Sequence, residues 1–199
     1  MKTYREKRDF RKTPEPEEGL YRNKSDAPIF VIQKHDATNL HYDLRLEIDN
    51  TLKSWSVPKG PSTNPSIKRM AIPTEDHPLA YADFEGTIPE GEYGGGTVMI
   101  WDRGTIISIK KDEEGKPIPL KESYEMGSVE VELQGEKLKG GYTIVRMKGG
   151  KMRGNWLLMK QEDKYANSRK SPVESQTRSV VTGRSLEEIA QGDKEKKKK

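Results

Sequence analysis

The sequence predicts a mostly β fold, a compact antiparallel β-barrel with few short helices, and two observations lead there. Between Ile29 and Lys160, short runs of β-branched and aromatic residues are separated by Gly, Pro, Asn and Asp, the pattern of many strands joined by tight turns. No long stretch of 3.6-residue periodicity interrupts that region, which disfavours a βαβ arrangement. In chain order, strands are expected near residues 30–33, 40–48, 52–57, 69–72, 97–102, 105–109, 129–133, 142–147 and 155–160. Asp49-Asn50-Thr51 has the turn chemistry of a hairpin. Asp102-Arg103-Gly104 reads as the next hairpin turn, and Lys148-Gly149-Gly150-Lys151 as another. Trp55, Trp101 and Trp156 each lie in a strand pattern and are expected in the core.

The flanks differ in composition. Residues 1–27 form a charged arm in which Pro14 and Pro16 bracket Glu15, read as an extended segment partly docked on a domain spanning 28–162. Residues 163–199 are polar and basic and are expected to be a disordered tail. One short helix is signalled there by the capping box Ser185-Leu186-Glu187-Glu188, with a stop at Gly192. A hydrophobic fraction of 31% and a mean hydropathy of −0.95 agree with part of the chain lying outside the core. The closing lysines are capable of raising affinity for a polyanion, although such termini usually serve only solubility.

Composition also narrows the function. Without cysteine there is neither a disulfide framework nor a thiolate metal site, so a transition metal must be held by imidazole, carboxylate or water. The first thirty residues contain no apolar h-region, and no stretch approaches the roughly 18 apolar residues of a membrane span. A soluble, unprocessed, cytoplasmic protein with no membrane partner is expected. The 36 basic residues largely cancel 32 acidic ones, and the net charge of +4 permits a nucleic-acid partner without naming it.

Only three histidines occur, all in polar motifs: Gln33-Lys34-His35-Asp36, Leu40-His41-Tyr42-Asp43-Leu44-Arg45-Leu46-Glu47 and Glu75-Asp76-His77-Pro78. Strand alternation puts His41, Asp43, Arg45 and Glu47 on one face and Tyr42, Leu44, Leu46 and Ile48 on the other. The apolar face can build a core. The polar face presents imidazole, carboxylate and guanidinium in a row, spaced about 6.5–7 Å along the backbone. His35, entering from the preceding strand, completes a two-histidine, one-carboxylate set that leaves coordination positions open for Mn, Zn, Fe or Ni. Arg45 beside a metal has the planar fork that grips phosphate oxygens. Pro89-Glu90-Gly91-Glu92-Tyr93-Gly94-Gly95-Gly96-Thr97 lacks the Gly-Lys-Ser/Thr of a phosphate loop and reads as a turn needing positive φ.

The strings FVIQKHDATNLHYDLRLEIDNTLKSWSVPKGPS, EDHPLAYADFEGTIPEGEYGGGTVMIWDRGT and NWLLMK closely resemble the 3′-phosphoesterase module of bacterial DNA ligase D. The resemblance runs from about Arg8 to Lys160 and includes Lys7-Arg8-Asp9-Phe10 and Thr13-Pro14-Glu15-Pro16 of the arm. It implies a small β-barrel that binds Mn²⁺ and trims DNA 3′ ends in non-homologous end joining. Such an enzyme removes a terminal ribonucleoside from the primer strand of a primer-template and then the 3′-phosphate left behind. It further implies His35, His41 and Asp43 as metal ligands, and Arg45 and His77 as contacts to the scissile phosphate. Lys59, Arg69 and Tyr81 match further functional positions of the module, and Arg8, Asp9 and Glu15 match functional positions in its arm. His77 can be a general acid or a phosphate contact. The chain has no room for polymerase or ligase modules and lacks Lys-x-Asp-Gly, so a free-standing phosphoesterase is expected, working beside a separate end-joining ligase or polymerase. Two other classes stay open on the residues alone. They are a two-His-one-carboxylate iron oxygenase and a non-catalytic nucleic-acid-binding barrel.

Overall fold

The computed structural model describes residues 3–18 and 27–196, with side chains through residue 193. Its strands are β1 (Ile29–Asp36), β2 (Leu40–Ile48), β3 (Thr51–Val57), β4 (Lys68–Pro73), β5 (Gly86–Ile88), β6 (Gly96–Ser108), β7 (Ser128–Gly135), β8 (Lys139–Arg146) and β9 (Trp156–Lys160). The helices are α1 (Leu120–Met126), α2 (Pro172–Ser175) and α3 (Leu186–Lys196), with 3₁₀ turns at Arg5–Lys7 and Leu79–Asp83. Strand order is β1-β2-β3-β4-β9-β8-β7-β6, and β6 pairs back onto β1, closing an eight-stranded antiparallel barrel; β5 is added on the outside of β6. Closure removes the open edges that an isolated sheet would expose.

The β2–β3 hairpin follows from its sequence. Asp49 and Asn50 both take φ of 57° between the paired ends Ile48 and Thr51, the left-handed geometry that Asp and Asn tolerate and that matches strand twist. Between β8 and β9 the connection is longer than a tight hairpin: Met147 and Gly154 extend the pairing beyond Arg146, and a Gly150-to-Arg153 turn closes it.

The expected hairpin at Asp102-Arg103-Gly104 does not form. β6 runs through it as one strand, because the Asp102 carboxylate is buried and accepts the backbone N–H groups of Glu136, Lys137 and Leu138 at 2.8–3.0 Å. Gly104 has no side chain because the backbone of Gln134 passes where a Cβ would sit, 2.1 Å from that carbonyl oxygen. The polar and glycine residues that resemble a turn in sequence therefore tie β6 to the β7–β8 turn.

Inside the barrel, Tyr42, Leu44, Leu46 and Ile48 of β2 pack with Trp55, Trp101, Trp156 and the inward residues of β7 to β9. A second apolar cluster lies outside it. There Ile29 and Val31 of β1 and Val98 and Ile100 of β6 are covered by Tyr4 of the arm and by Tyr81, Ala82, Phe84 and Ile88. The described part of residues 163–199 departs from the expected disordered tail. Leu186 and Ile189 of α3 are buried in the main core, and Trp101 Nε1 donates to the Gln176 carbonyl at 2.6 Å. Apolar anchors that are sparse in sequence suffice because the barrel supplies the surface they cover. The capping box forms, with Ser185 N–H donating to Glu188 at 2.7 Å, and α3 continues past Gly192. The terminal lysines invoked for polyanion affinity lie outside the residues whose side chains are described.

Candidate metal centre and its pocket

The alternation of β2 decides which residues meet outside the barrel. With Leu44 and Leu46 turned into the core, His41, Asp43 and Arg45 must project outward. Register does the rest. His35 on β1 lies directly opposite His41, with ring centroids 4.8 Å apart, and Gln33 lies opposite Asp43. One nitrogen from each histidine and one oxygen of Asp43 all lie within 4.8 Å of one another.

The donors fit a transition-metal ion. Asn39 carbonyl, 2.8 Å from His41 Nδ1, can only accept, so Nδ1 carries the proton and Nε2 is left as a lone pair 3.6 Å from Asp43. His35 Nε2 is buried with no hydrogen-bond partner, an orphaned position that coordination would satisfy. Burial pushes the Asp43 carboxyl up, but Arg45 and the two histidines outweigh it and hold the group below the ordinary carboxylate range.

The three donors open into a pocket of about 350 Å³ whose other walls include Arg8, Arg45, His77, Tyr81 and the acidic Glu75. Arg45 is buried and triply held. Nε donates to Gln33 Oε1 at 2.8 Å, Nη2 to Asp43 at 3.1 Å, and Nη1 lies 2.9 and 3.3 Å from the nitrogens of His77. Gln33 is itself fixed by donating to the carbonyls of Tyr81 and Phe84. A guanidinium carries five N–H donors, so Arg45 keeps some for an anion in the pocket. His77 is placed by a backbone bridge to Leu52 of β3, and its Nδ1 is 2.8 Å from the Glu75 carbonyl. The carbonyl can only accept, whereas Arg45 Nη1, 2.9 Å from the same Nδ1, can only donate, so the two contacts ask for opposite tautomers. Burial, then Arg45 and Arg8, drive the His77 pKa well below its usual value, leaving a neutral ring.

The arm closes one side. Arg8, with 4% of its side chain exposed, donates to Glu15 at 2.8 Å and to Glu75 at 3.0 Å, and stacks over Tyr4 at 3.9 Å. Tyr81 donates to Glu15 at 2.9 Å, and its ring lies 4.6 Å from that of His77 and 4.7 Å from the Arg45 guanidinium. Its phenol is pushed well above its usual pKa by burial, so it stays a neutral donor.

His35, His41, Asp43, Arg45, His77, Tyr81 and Arg8 thus line one pocket, with Glu15 behind Arg8 and Tyr81. Asp9, Lys59 and Arg69 do not line it. Asp9 pairs with Arg11 on the arm surface, which lowers its pKa to about 2. Lys59 is exposed in the turn after β3, and Arg69 sits on β4 opposite Leu158, on the strand face of core residue Ala71. Sequence reasoning missed Gln33, Glu75 and Tyr93. The first two had a usable signal: each stands two residues before a histidine of the site, the spacing that shares a face of an extended chain. Tyr93 had none, since its loop reaches the pocket only through the fold.

A profile of the DNA Ligase D 3′-phosphoesterase domain matches residues 33–146, the segment that carries the three donors, Arg45 and His77. The chain belongs to that family. It is 45% identical over 186 residues to the multifunctional non-homologous end joining protein LigD of Pseudomonas aeruginosa, which covers 92% of this chain and 21% of that protein. The multifunctional non-homologous end joining DNA repair protein LigD of Mycobacterium tuberculosis is 43% identical over 161 residues, 81% of this chain and 20% of its own length. That of Mycolicibacterium smegmatis is 42% identical over 166 residues, 82% and 21% respectively. The chain therefore spans about one fifth of the length of these curated relatives. Among the described residues, no helix is long and apolar enough to cross a membrane.

Proposed function

We propose that the protein is a Mn²⁺-dependent DNA 3′-end-processing enzyme, removing a 3′-terminal ribonucleoside by phosphodiester hydrolysis and then the resulting 3′-phosphate, in DNA repair by end joining. The observation that carries this is the convergence of the His35-His41-Asp43 donor set with Arg45 and Arg8 in one pocket of a family whose description is 3′-phosphoesterase. A bound divalent ion would supply Lewis-acid polarisation of a phosphate oxygen and a more acidic water.

The chain's own residues do the remainder. Arg45, preset by Gln33 and Asp43, binds the non-bridging phosphate oxygens and stabilises the charge that builds on them. His77, a neutral ring against two guanidinium groups, orients Arg45 and Arg8 at rest; it becomes a donor to a phosphate only when the charge of the dianion restores its second proton. Glu15 and Glu75 hold Arg8 at the pocket wall and offset its charge. Tyr81 buttresses Arg45 and Glu15 as a neutral phenol. An iron oxygenase could use the same three donors, and it is the membership of the 3′-phosphoesterase family that favours phosphoester hydrolysis over it.

The test is a labelled primer-template whose primer ends in one ribonucleotide, incubated with and without Mn²⁺ beside its all-deoxy counterpart. Shortening by one nucleoside, followed by loss of the 3′-phosphate, is expected only with metal, and the deoxy strand should be cut far more slowly. The 2′-hydroxyl is the sole difference, so discrimination requires an interaction with it in the transition state. Equal hydrolysis of both strands would reduce the protein to a nonspecific phosphoesterase, and DNA binding without turnover at any metal would make it a binding barrel.

A further inference from the structure

One wall of the pocket is an aromatic ring that the proposed chemistry leaves unused. Tyr93 stands in the glycine-rich loop between β5 and β6, where φ is positive at Gly91, Gly94 and Gly96. Gly96 has to be glycine, because a Cβ there would lie 2.2 Å from the Asp36 carbonyl oxygen. That close approach holds the loop against the end of β1, immediately after His35, and a Cβ on Gly94 would lie 4.0 Å from the His35 ring. Tyr93 is thus set at the rim, beside the metal donors.

Its environment is that of a platform. Lys7 Nζ lies 4.4 Å from the ring centroid and donates to the phenol oxygen at 2.9 Å, while the hydroxyl is 3.4 Å from Glu75 Oε2. The ring is therefore anchored at its polar tip, yet 48% of the residue remains exposed. An aromatic that only completed packing would be covered. Among the described large apolar residues that stay exposed, Tyr93 alone lines the pocket.

We infer that Tyr93 is a stacking platform for the nucleobase of the 3′-terminal nucleotide, a binding contact that rests on the DNA-end reading above. With the scissile phosphate at the donors and Arg45, the terminal base is one sugar away, which brings it to the rim. Pinning the hydroxyl pre-orders the ring, so little side-chain freedom is lost when a base stacks. Every base has a π face, so such a contact holds the end without selecting its sequence.

The full chain and its Tyr93→Phe and Tyr93→Ala variants are compared on primers ending in a base-bearing ribonucleotide or in an abasic ribose. The wild-type protein should prefer the base-bearing end by about 5- to 100-fold in kcat/KM, the span expected for one stacked base. Tyr93→Phe, which keeps the ring but loses its pin, should retain most of that ratio, and Tyr93→Ala should bring it near one. With a 2-aminopurine ribonucleotide at the terminus and chelator present, fluorescence quenching on binding should be lost in Tyr93→Ala alone. A preference or quench that survives in Tyr93→Ala overturns the inference. Failure of the wild-type protein to turn over any 3′ end counts instead against the proposed activity, and the quenching comparison still decides the stacking contact.

Discussion

At its centre β2 buries side chains on both faces, for opposite reasons. Inward, Leu44 and Leu46 meet other hydrocarbon, and dry packing is the whole of their contribution. Outward, Asp43 and Arg45 are also buried, but they are held by ion pairs and hydrogen bonds to each other, to β1 and to His77 of the loop after β4. Burial on the inner face lowers the free energy of the fold, whereas burial on the outer face raises the cost of any unpaired group and keeps donors in place for a ligand. Exposure alone does not distinguish the two; the chemistry of the neighbours does.

The contrast can be broken most sharply at the metal donors. His41→Ala should lower turnover by more than about 100-fold, since even the outer partners of metal ligands are worth 10- to 100-fold, while circular dichroism and thermal melting stay close to wild type. An unfolded His41 variant would mean that the outer face is structural after all.

Next in size is Arg8→Ala, which takes the paired cation from Glu15, whose side chain is 0% exposed, leaving it hydrogen bonds from Tyr81 and Thr13, and takes one of two cations from Glu75, which keeps Lys7. Removing one partner of a buried ion pair typically costs about 3–5 kcal/mol. A lower melting temperature and faster proteolysis within the arm are expected together; an arm as resistant as wild type would contradict the docking described here.

Leu44→Ala tests the inner face and should cost about 2–5 kcal/mol in denaturant unfolding, with kcat per folded molecule preserved. Loss of kcat at a temperature where the variant is folded would show that the faces are coupled.

The smallest effect is set by pH. His77 stays neutral in the fold because its pKa is driven down, whereas in the unfolded chain it binds a proton below about pH 6.5. The unfolded state therefore holds more protons in that window, and stability present above it is lost as pH falls, by up to about 1.4 kcal/mol per pH unit. The decline in melting temperature from pH 7.5 to 5.5 should be shallower in His77→Asn than in wild type. Parallel curves would show that another group controls the acid limb.

Where pattern and partner lie close together, the chain could be read directly. Tyr42 to Ile48 alternate without exception, Asp49-Asn50 turns β2 into β3, and His35 is brought opposite His41 by a short connection, so the donor set was legible from local spacing. The three tryptophans went to the core because indole has little alternative. Other features depend on contacts made far along the chain. Asp102 and Gly104 look like a turn until residues 134–138 arrive to occupy them, and Glu75 gains its importance from Lys7 and Arg8, 68 and 67 residues earlier. The arm and the segment around α3 are polar strings whose few apolar side chains acquire meaning only against a finished barrel. Periodicity and turn chemistry act over a few residues, so sequence alone determined which face of β2 is apolar and that His35 and His41 come together with Asp43. Which charged residues are buried, and what they are paired with, was decided by tertiary structure, because desolvation and ion pairing depend on neighbours that only the closed barrel brings together.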